Sequence, residues 1–168
     1  MRKEGYTLVE VMTVVVAIGI LSAMGVSSLQ QAAMNARVKD AALNTTAFLE
    51  RTANEANQRS ATLCLKKVSD QRLEVYKSED CSGSVEFHFE IEPPNKFLDN
   101  CPGDPPGPNW TEGSLFTPRL GLSAAPREGY ICVQYASEEN YGAAFKTNTV
   151  NTIQAMWRLG ADGTWGAL

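Results

Sequence analysis

The stretch MRKEGYTLVEVMTVVVAIGI (residues 1–20) decides how the rest of the chain is read, because it places one acid, Glu10, inside an otherwise apolar run. From Tyr6 to Leu29 Glu10 is the only charged residue. A helix needs about twenty apolar residues to cross a hydrocarbon core, and this run is long enough. A cleaved secretory signal would have a core of about seven to fifteen residues followed by a small-residue site, which LSAMGVSS (residues 21–28) imitates. The sequence beyond it speaks for an uncleaved helix. LQQAAMNARVKDAALNTTAFLERTANEANQRS (residues 29–60) is rich in helix formers and holds no proline or glycine.

That continuation has a periodic face. Val38, Ala41, Ala42, Thr45, Phe48, Leu49, Thr52, Ala53 and Ala56 recur at three- and four-residue intervals, with charged and amide side chains between them. The spacing predicts a single helix of about fifty residues, on the order of 75 Å long, apolar all round in its first half and amphipathic in its second. Gly19 and Gly25 are candidate points of local unwinding, since glycine costs about 1 kcal/mol relative to alanine in a helix.

Past Ser60 the pattern changes to short strands. ATLCLKKV and RLEVYKS flank the turn-prone SDQ as a hairpin, and VEFHFEI, GYICVQYA, GAAFKTNTV and TIQAMWRL supply further strands of an antiparallel sheet. In VEFHFEI, Val85, Phe87, Phe89 and Ile91 alternate with Glu86, His88 and Glu90, so the second set faces water. NKFLDNCPGDPPGPNWTEGS (residues 95–114) reads as the one long loop, an exposed interaction loop or a stapled excursion. GADGTW (residues 160–165) reads as a hairpin turn at Asp162 and Gly163, with Trp157 and Trp165 packing in or beside its arms.

With 168 residues there is room for one domain and an appendage. A net charge of -4 argues against a broad nucleic-acid surface. The four cysteines, Cys64, Cys81, Cys101 and Cys132, all follow the apolar run and form no CxxC pair or zinc pattern. They read as two disulfides in an oxidising compartment. Three pairings are open; Cys64 with Cys81 and Cys101 with Cys132 is preferred because each closes a modest loop. Four buried free thiols are the alternative.

The residues EGYTLVEVMTVVVAIGILSAMGVSSL (4–29) resemble the class III signal and N-terminal helix of type IV prepilins and type II secretion pseudopilins: a short basic leader, a glycine, an aromatic residue, Thr-Leu and a glutamate at fixed offsets. The resemblance implies an α+β, pilin-like lollipop, with a leader (1–5), a membrane or filament-core half-helix (6–29), an amphipathic half-helix (30–58) and a β-rich globular domain (59–168). It implies processing by prepilin peptidase after Gly5 and methylation of the new N-terminus at Tyr6. Tyr6 stands where phenylalanine is commoner, and Ser27 and Ser28 stand where the family often has a helix-kinking proline.

An acid in a membrane helix costs about 2.5 to 3.5 kcal/mol at the centre and needs a partner or water. Cleavage after Gly5 would create an ammonium on Tyr6 one turn from Glu10, and the resemblance implies an assembly charge pair between these groups, within or between subunits. Arg2 and Lys3 favour a cytoplasmic N-terminus by the positive-inside tendency. Implied partners are other pilin or pseudopilin subunits, the prepilin peptidase, the bacterial inner membrane and an assembly platform. The implied location is a single-pass inner-membrane protein whose remainder is periplasmic or extracellular.

LERTANEANQRSATLCL, LFTPRLGLSAAPREGYICV and IQAMWRLGADGTW further resemble the globular domain of H-type minor pseudopilins and related minor pilins. Some relatives bind DNA through closely spaced C-terminal arginines; the tail here has only Arg158, which argues against nucleic acid as a partner. An adhesive or DNA-contacting minor pilin and an unrelated signal-anchored exported protein are the alternative readings. No GxSxG, HExxH or P-loop motif is present and His88 is the only histidine, so neither catalysis nor a cofactor is expected. Asp99, Asn100 and Asp104 are oxygen ligands without EF-hand spacing and read as turn residues, and His88 among acids reads as a wet strand face, so no metal is expected.

Overall fold

The computed structural model describes residues 6–102, 113–118, 121–122, 129–146, 153–160 and 163–168. It has one long helix, α1 (Leu8–Arg59), followed by ten strands in two antiparallel sheets. The chain divides into two compact units, residues 1–35 and 36–168.

In the first unit α1 is helical throughout from Leu8, including Gly19, Gly25, Ser27 and Ser28, so the local unwinding anticipated at the glycines does not occur. A Cβ at Gly19 would meet nothing within 4 Å. The helix there has no neighbour for the glycine to fit.

In the second unit the helix packs on the sheets along the periodic face. Val38, Ala41, Ala42, Thr45, Phe48, Leu49, Thr52 and Ala56 are all buried, and Ala53 is half-buried. The threonines satisfy their hydroxyls locally: Thr45, Thr46 and Thr52 donate to the carbonyls of Ala41, Ala42 and Phe48 at 2.7 to 2.9 Å, so none of these three hydroxyls is stranded in the core. Arg59 ends the helix. Ser60 takes the left-handed conformation (φ 47°), while its N–H reaches the Asn57 carbonyl at 3.2 Å and the Ala61 N–H reaches that of Ala56 at 3.1 Å. Those two bonds form a Schellman cap with serine where glycine is usual.

The first sheet has the order β3-β2-β1-β5-β6, from β1 (Leu63–Ser69), β2 (Arg72–Tyr76), β3 (Val85–Glu90), β5 (Ser114–Thr117) and β6 (Gly121–Leu122). The second has the order β10-β9-β8-β7-β4, from β4 (Asn95–Leu98), β7 (Gly129–Tyr135), β8 (Asn140–Lys146), β9 (Ile153–Leu159) and β10 (Gly166–Ala167). Two readings are corrected here. The single sheet is two sheets, and the loop of residues 95–114 begins with a strand. Asn95–Leu98 pairs with β7 in the register Phe97↔Val133 and Leu98↔Cys132, and burial of Phe97 to 1% exposure fixes that register. Asp104 and the rest of 103–112 lie outside the described residues, as do 147–150 of the β8 reading and Asp162 of the terminal turn.

The main core brings Phe48 and Leu49 of α1 against Leu63, Leu65, Leu73 and Val75 of the first sheet and Phe97, Ile131 and Val133 of the second. Phe48 stacks on Phe89 at 5.0 Å and meets Phe87 edge-on at 5.9 Å, so the apolar side of β3 faces the helix. Gly142 lies where the helix comes closest to β8: a Cβ there would fall 2.7 Å from the Val38 carbonyl oxygen and 2.8 Å from the Ala42 Cβ. Cys132 points away from Ile131 and Val133 into a smaller cluster with Cys101 and Ala143, against which Leu98, Met156 and Trp165 pack.

The four cysteines form two disulfides, Cys64–Cys81 and Cys101–Cys132. The first ties β1 to the β2–β3 connection; the second ties the segment after β4 to β7. Lys67 adds a polar tie between the sheets. Its nearly buried ammonium sits 3.1 Å from Asp70, 2.7 Å from Asp99 and 2.9 Å from the Phe97 carbonyl oxygen.

Candidate functional site

The chemistry-bearing residues of the first unit gather at the start of α1. Thr7 precedes the first helical residue, and Glu10 is the third residue of the helix. The Glu10 carboxylate accepts the Thr7 backbone N–H at 2.9 Å and the Thr7 hydroxyl at 2.8 Å, while the Glu10 N–H donates to the Thr7 hydroxyl oxygen at 3.3 Å. This is a capping box: each side chain satisfies an N–H that the helix leaves free. The signal is present in the sequence as T-x-x-E before an apolar run; Glu10 taken only as a charge in need of a cation leaves this local bond out.

The cap and a charge partner are compatible. All the described side-chain bonds of Glu10 fall on one oxygen, Oε2, and among the described residues Glu10 makes no ion pair. Gly5 lies outside the described residues. Adjacent backbone nitrogens are within about 4 Å by covalent geometry, so the Tyr6 nitrogen lies within about 7 Å of the carboxylate oxygen that holds Thr7 N–H.

Beyond the cap the surface is almost wholly apolar. Leu8, Val9, Met12, Val15, Val16, Ile20, Leu21 and Leu29 are each more than half exposed, and Tyr6 is 89% exposed. Large apolar side chains gain about 1.5 to 3 kcal/mol each on full burial, so the helix exposes an apolar surface worth on the order of 10 kcal/mol or more. Patches this size mark membrane or protein contact. The segment is long and apolar enough to cross a membrane, with a mean hydropathy of 2.2 over an 18-residue window.

The other singled-out residues do not join that site. His88 is exposed on β3 opposite Glu74, and Asp99 is paired with Lys67 Nζ at 2.7 Å. Among the described residues no group of three or more His, Cys, Asp or Glu could hold a metal ion. Arg158 is 7% exposed, so the tail's arginine is no free surface cation. Trp157 lies under Lys39 Nζ, 3.9 Å from its ring centroid, and Trp165 donates to the Pro102 carbonyl at 3.2 Å; both rings are packing groups.

On β2, Tyr76 donates to Oε2 of the buried Glu74 at 2.5 Å. That bond to a carboxylate raises the Tyr76 pKa above the ordinary phenol value. Asp80 accepts from Ser82 and Ser78 in the β2–β3 connection, which lowers its pKa.

In comparison with known proteins, no protein-family model, no curated protein and no solved structure matches this chain.

Proposed function

We propose that this chain is a structural subunit of a type IV pilus or type II secretion pseudopilus, a minor pilin or pseudopilin made from a precursor cut after Gly5. The observation that carries the reading is a coincidence of positions. The glycine-aromatic junction Gly5-Tyr6 falls immediately before a capped helix whose first half exposes an almost wholly apolar surface and whose second half is the core helix of a disulfide-bonded domain. A plain membrane anchor requires the apolar run but neither the leader nor the T-x-x-E start.

In this reading prepilin peptidase removes residues 1–5 and the Tyr6 amine is methylated. Removal of the leader takes the formal charge from -4 to -5. Thr7 and Glu10 both remain, so the capping box survives cleavage. The Tyr6 ammonium then lies near the Glu10 carboxylate, and the second carboxylate oxygen is available to the ammonium of a neighbouring subunit. The apolar half-helix rests in the inner membrane before assembly and in the filament core afterwards, with the disulfide-bonded domain on the oxidising side.

The test separates helix capping from subunit pairing. Glu10→Gln keeps an acceptor for the Thr7 N–H but carries no charge, whereas Glu10→Ala loses both. Incorporation into filaments is expected to fail for both variants while the domain stays folded. Wild-type incorporation of Glu10→Gln would remove the charge-pair role.

A further inference from the structure

The two disulfides sit in opposite surroundings. Cys101 and Cys132 are 7% and 0% exposed and share a buried cluster with Ala143, against which Leu98, Met156 and Trp165 pack. Cys64, on β1, is equally buried at 2%, but its partner Cys81 is half-buried in the β2–β3 connection, residues 77–84. Ser78 is half-buried there too, and every other residue of the connection is exposed. We propose that Cys64–Cys81 is a redox latch: a dithiol reductant opens it at Cys81 in the folded chain and releases the connection, while Cys101–Cys132 stays closed.

The first argument is how little else holds the connection. Its hydrogen bonds are internal: Ser78 Oγ donates to the Ser82 carbonyl at 2.9 Å, the Ser82 N–H donates back to Ser78 Oγ at 3.0 Å, and the Ser82 hydroxyl donates to the Asp80 carboxylate at 2.7 Å. Among the described residues no side-chain hydrogen bond or ion pair joins 77–84 to the rest of the domain, and neither Cys64 nor Cys81 belongs to a buried apolar cluster. A segment with few buried contacts opens locally without unfolding the core. The disulfide is then the one bond to break.

Backbone conformation is a second argument. Cys81 takes the left-handed conformation (φ 53°), which is unfavourable for a residue with a Cβ. Freed from Cys64, it can return to right-handed space. The latch also reaches β5. A Cβ at Gly113 would fall 2.6 Å from Cys81 Sγ and 3.2 Å from Cys64 Sγ, so both sulfurs lie against the backbone that enters β5. Cys64 itself pairs with Leu115 of that strand. Opening the latch therefore frees the connection and takes away a sulfur that packs on the entry to β5.

The exchange balances with the two thiols of the reductant. A thiolate attacks Cys81 Sγ, the bond to Cys64 breaks, and Cys64 leaves as a thiolate that takes up a proton. The reductant's second thiolate then attacks its own sulfur in the mixed disulfide, and Cys81 leaves and is protonated. Two electrons pass to the protein disulfide and the dithiol becomes a disulfide. Exposed disulfides are the labile ones, and access decides which sulfur is attacked. The inference does not depend on the filament reading.

The experiment treats the full chain in detergent micelles, without denaturant, with dithiothreitol; samples are quenched with N-ethylmaleimide and mapped by peptide mass. Cys64 and Cys81 are expected to be labelled roughly tenfold or more faster than Cys101 and Cys132. Amide hydrogen exchange is expected to rise across 77–84 and at the start of β5, while β7 and β8 keep their protection. With glutathione, a monothiol, the mixed disulfide is expected on Cys81. Equal rates for the two disulfides, earlier opening of Cys101–Cys132, or no reduction of either without denaturant would overturn the latch. Loss of protection in β7 and β8 together with reduction would overturn it as well, since opening would then be unfolding. Glutathione on Cys64 would overturn the assignment of Cys81 as the sulfur attacked.

Discussion

Leu21 and Leu49 sit on the same helix and are the same residue type, yet Leu21 is 70% exposed and Leu49 is 1% exposed. The difference lies in the sequence around each. Around Leu49 apolar residues recur at helical spacing and polar ones fill the gaps, so one face has a partner within the chain and the other meets water. Around Leu21 the apolar residues go all round, and among the described residues nothing in this chain covers that half of the helix. The first pattern asks for a domain and the second for a membrane or other helices.

The sharpest way to break that contrast is to truncate both leucines. Leu49→Ala is expected to destabilise the domain by about 2 to 5 kcal/mol, while Leu21→Ala leaves the denaturant midpoint of the domain unchanged. Equal effects would mean that the halves do not differ as described. Losing a disulfide probes the second half from the sheet side. Cys64→Ser is expected to cost about 2 to 5 kcal/mol, the usual range for a small secreted domain, and four free thiols by alkylation and mass analysis would contradict this.

Gly142→Ala tests the closest helix–sheet contact. Because the new Cβ would meet a backbone oxygen and a Cβ rather than a flexible side-chain end, a loss of about 1 to 3 kcal/mol is expected. A neutral result would show that the helix can lift from β8. Ser60→Gly works in the opposite direction. Relief of the left-handed serine at the helix end is expected to raise stability by up to about 1 kcal/mol, seen as a higher melting temperature.

The smallest effect expected is a pH dependence. Because the folded pKa of Tyr76 is raised, its bond to Glu74 contributes stability fully below the unfolded phenol pKa of about 10, and that contribution is lost as pH rises through the folded value. Tyr76→Phe is therefore expected to flatten the alkaline decline of the denaturant midpoint. An identical decline in both proteins would contradict the proposed bond.

Much of this architecture was readable where local pattern and tertiary packing agree. The buried face from Val38 to Ala56, the β1–β2 hairpin around Asp70 and the two-sided alternation of β3 all follow from spacing. β4 was not readable, because four residues cannot establish a period and N-K-F-L is surrounded by turn residues. Its strand state comes from pairing with β7, the burial of Phe97 and the Lys67 bond to the Phe97 carbonyl, all long-range in sequence. The four-residue β5 and the two-residue β6 and β10 were missed for the same reason, and with them the division into two sheets. At the helix start the obstacle was different: T-x-x-E is visible in the sequence, but the cost of an acid in an apolar run points to a cationic partner and away from an N–H three residues back.

The central claim is that the chain is cut between Gly5 and Tyr6 and put to use as a filament subunit. The most direct measurement is the intact mass and N-terminal fragment spectrum of the protein recovered from its native host. The account predicts a chain beginning at Tyr6 with one additional methyl group and both disulfides intact. A chain beginning near Ser27, or one retaining Met1 in a host with active prepilin peptidase, would contradict it.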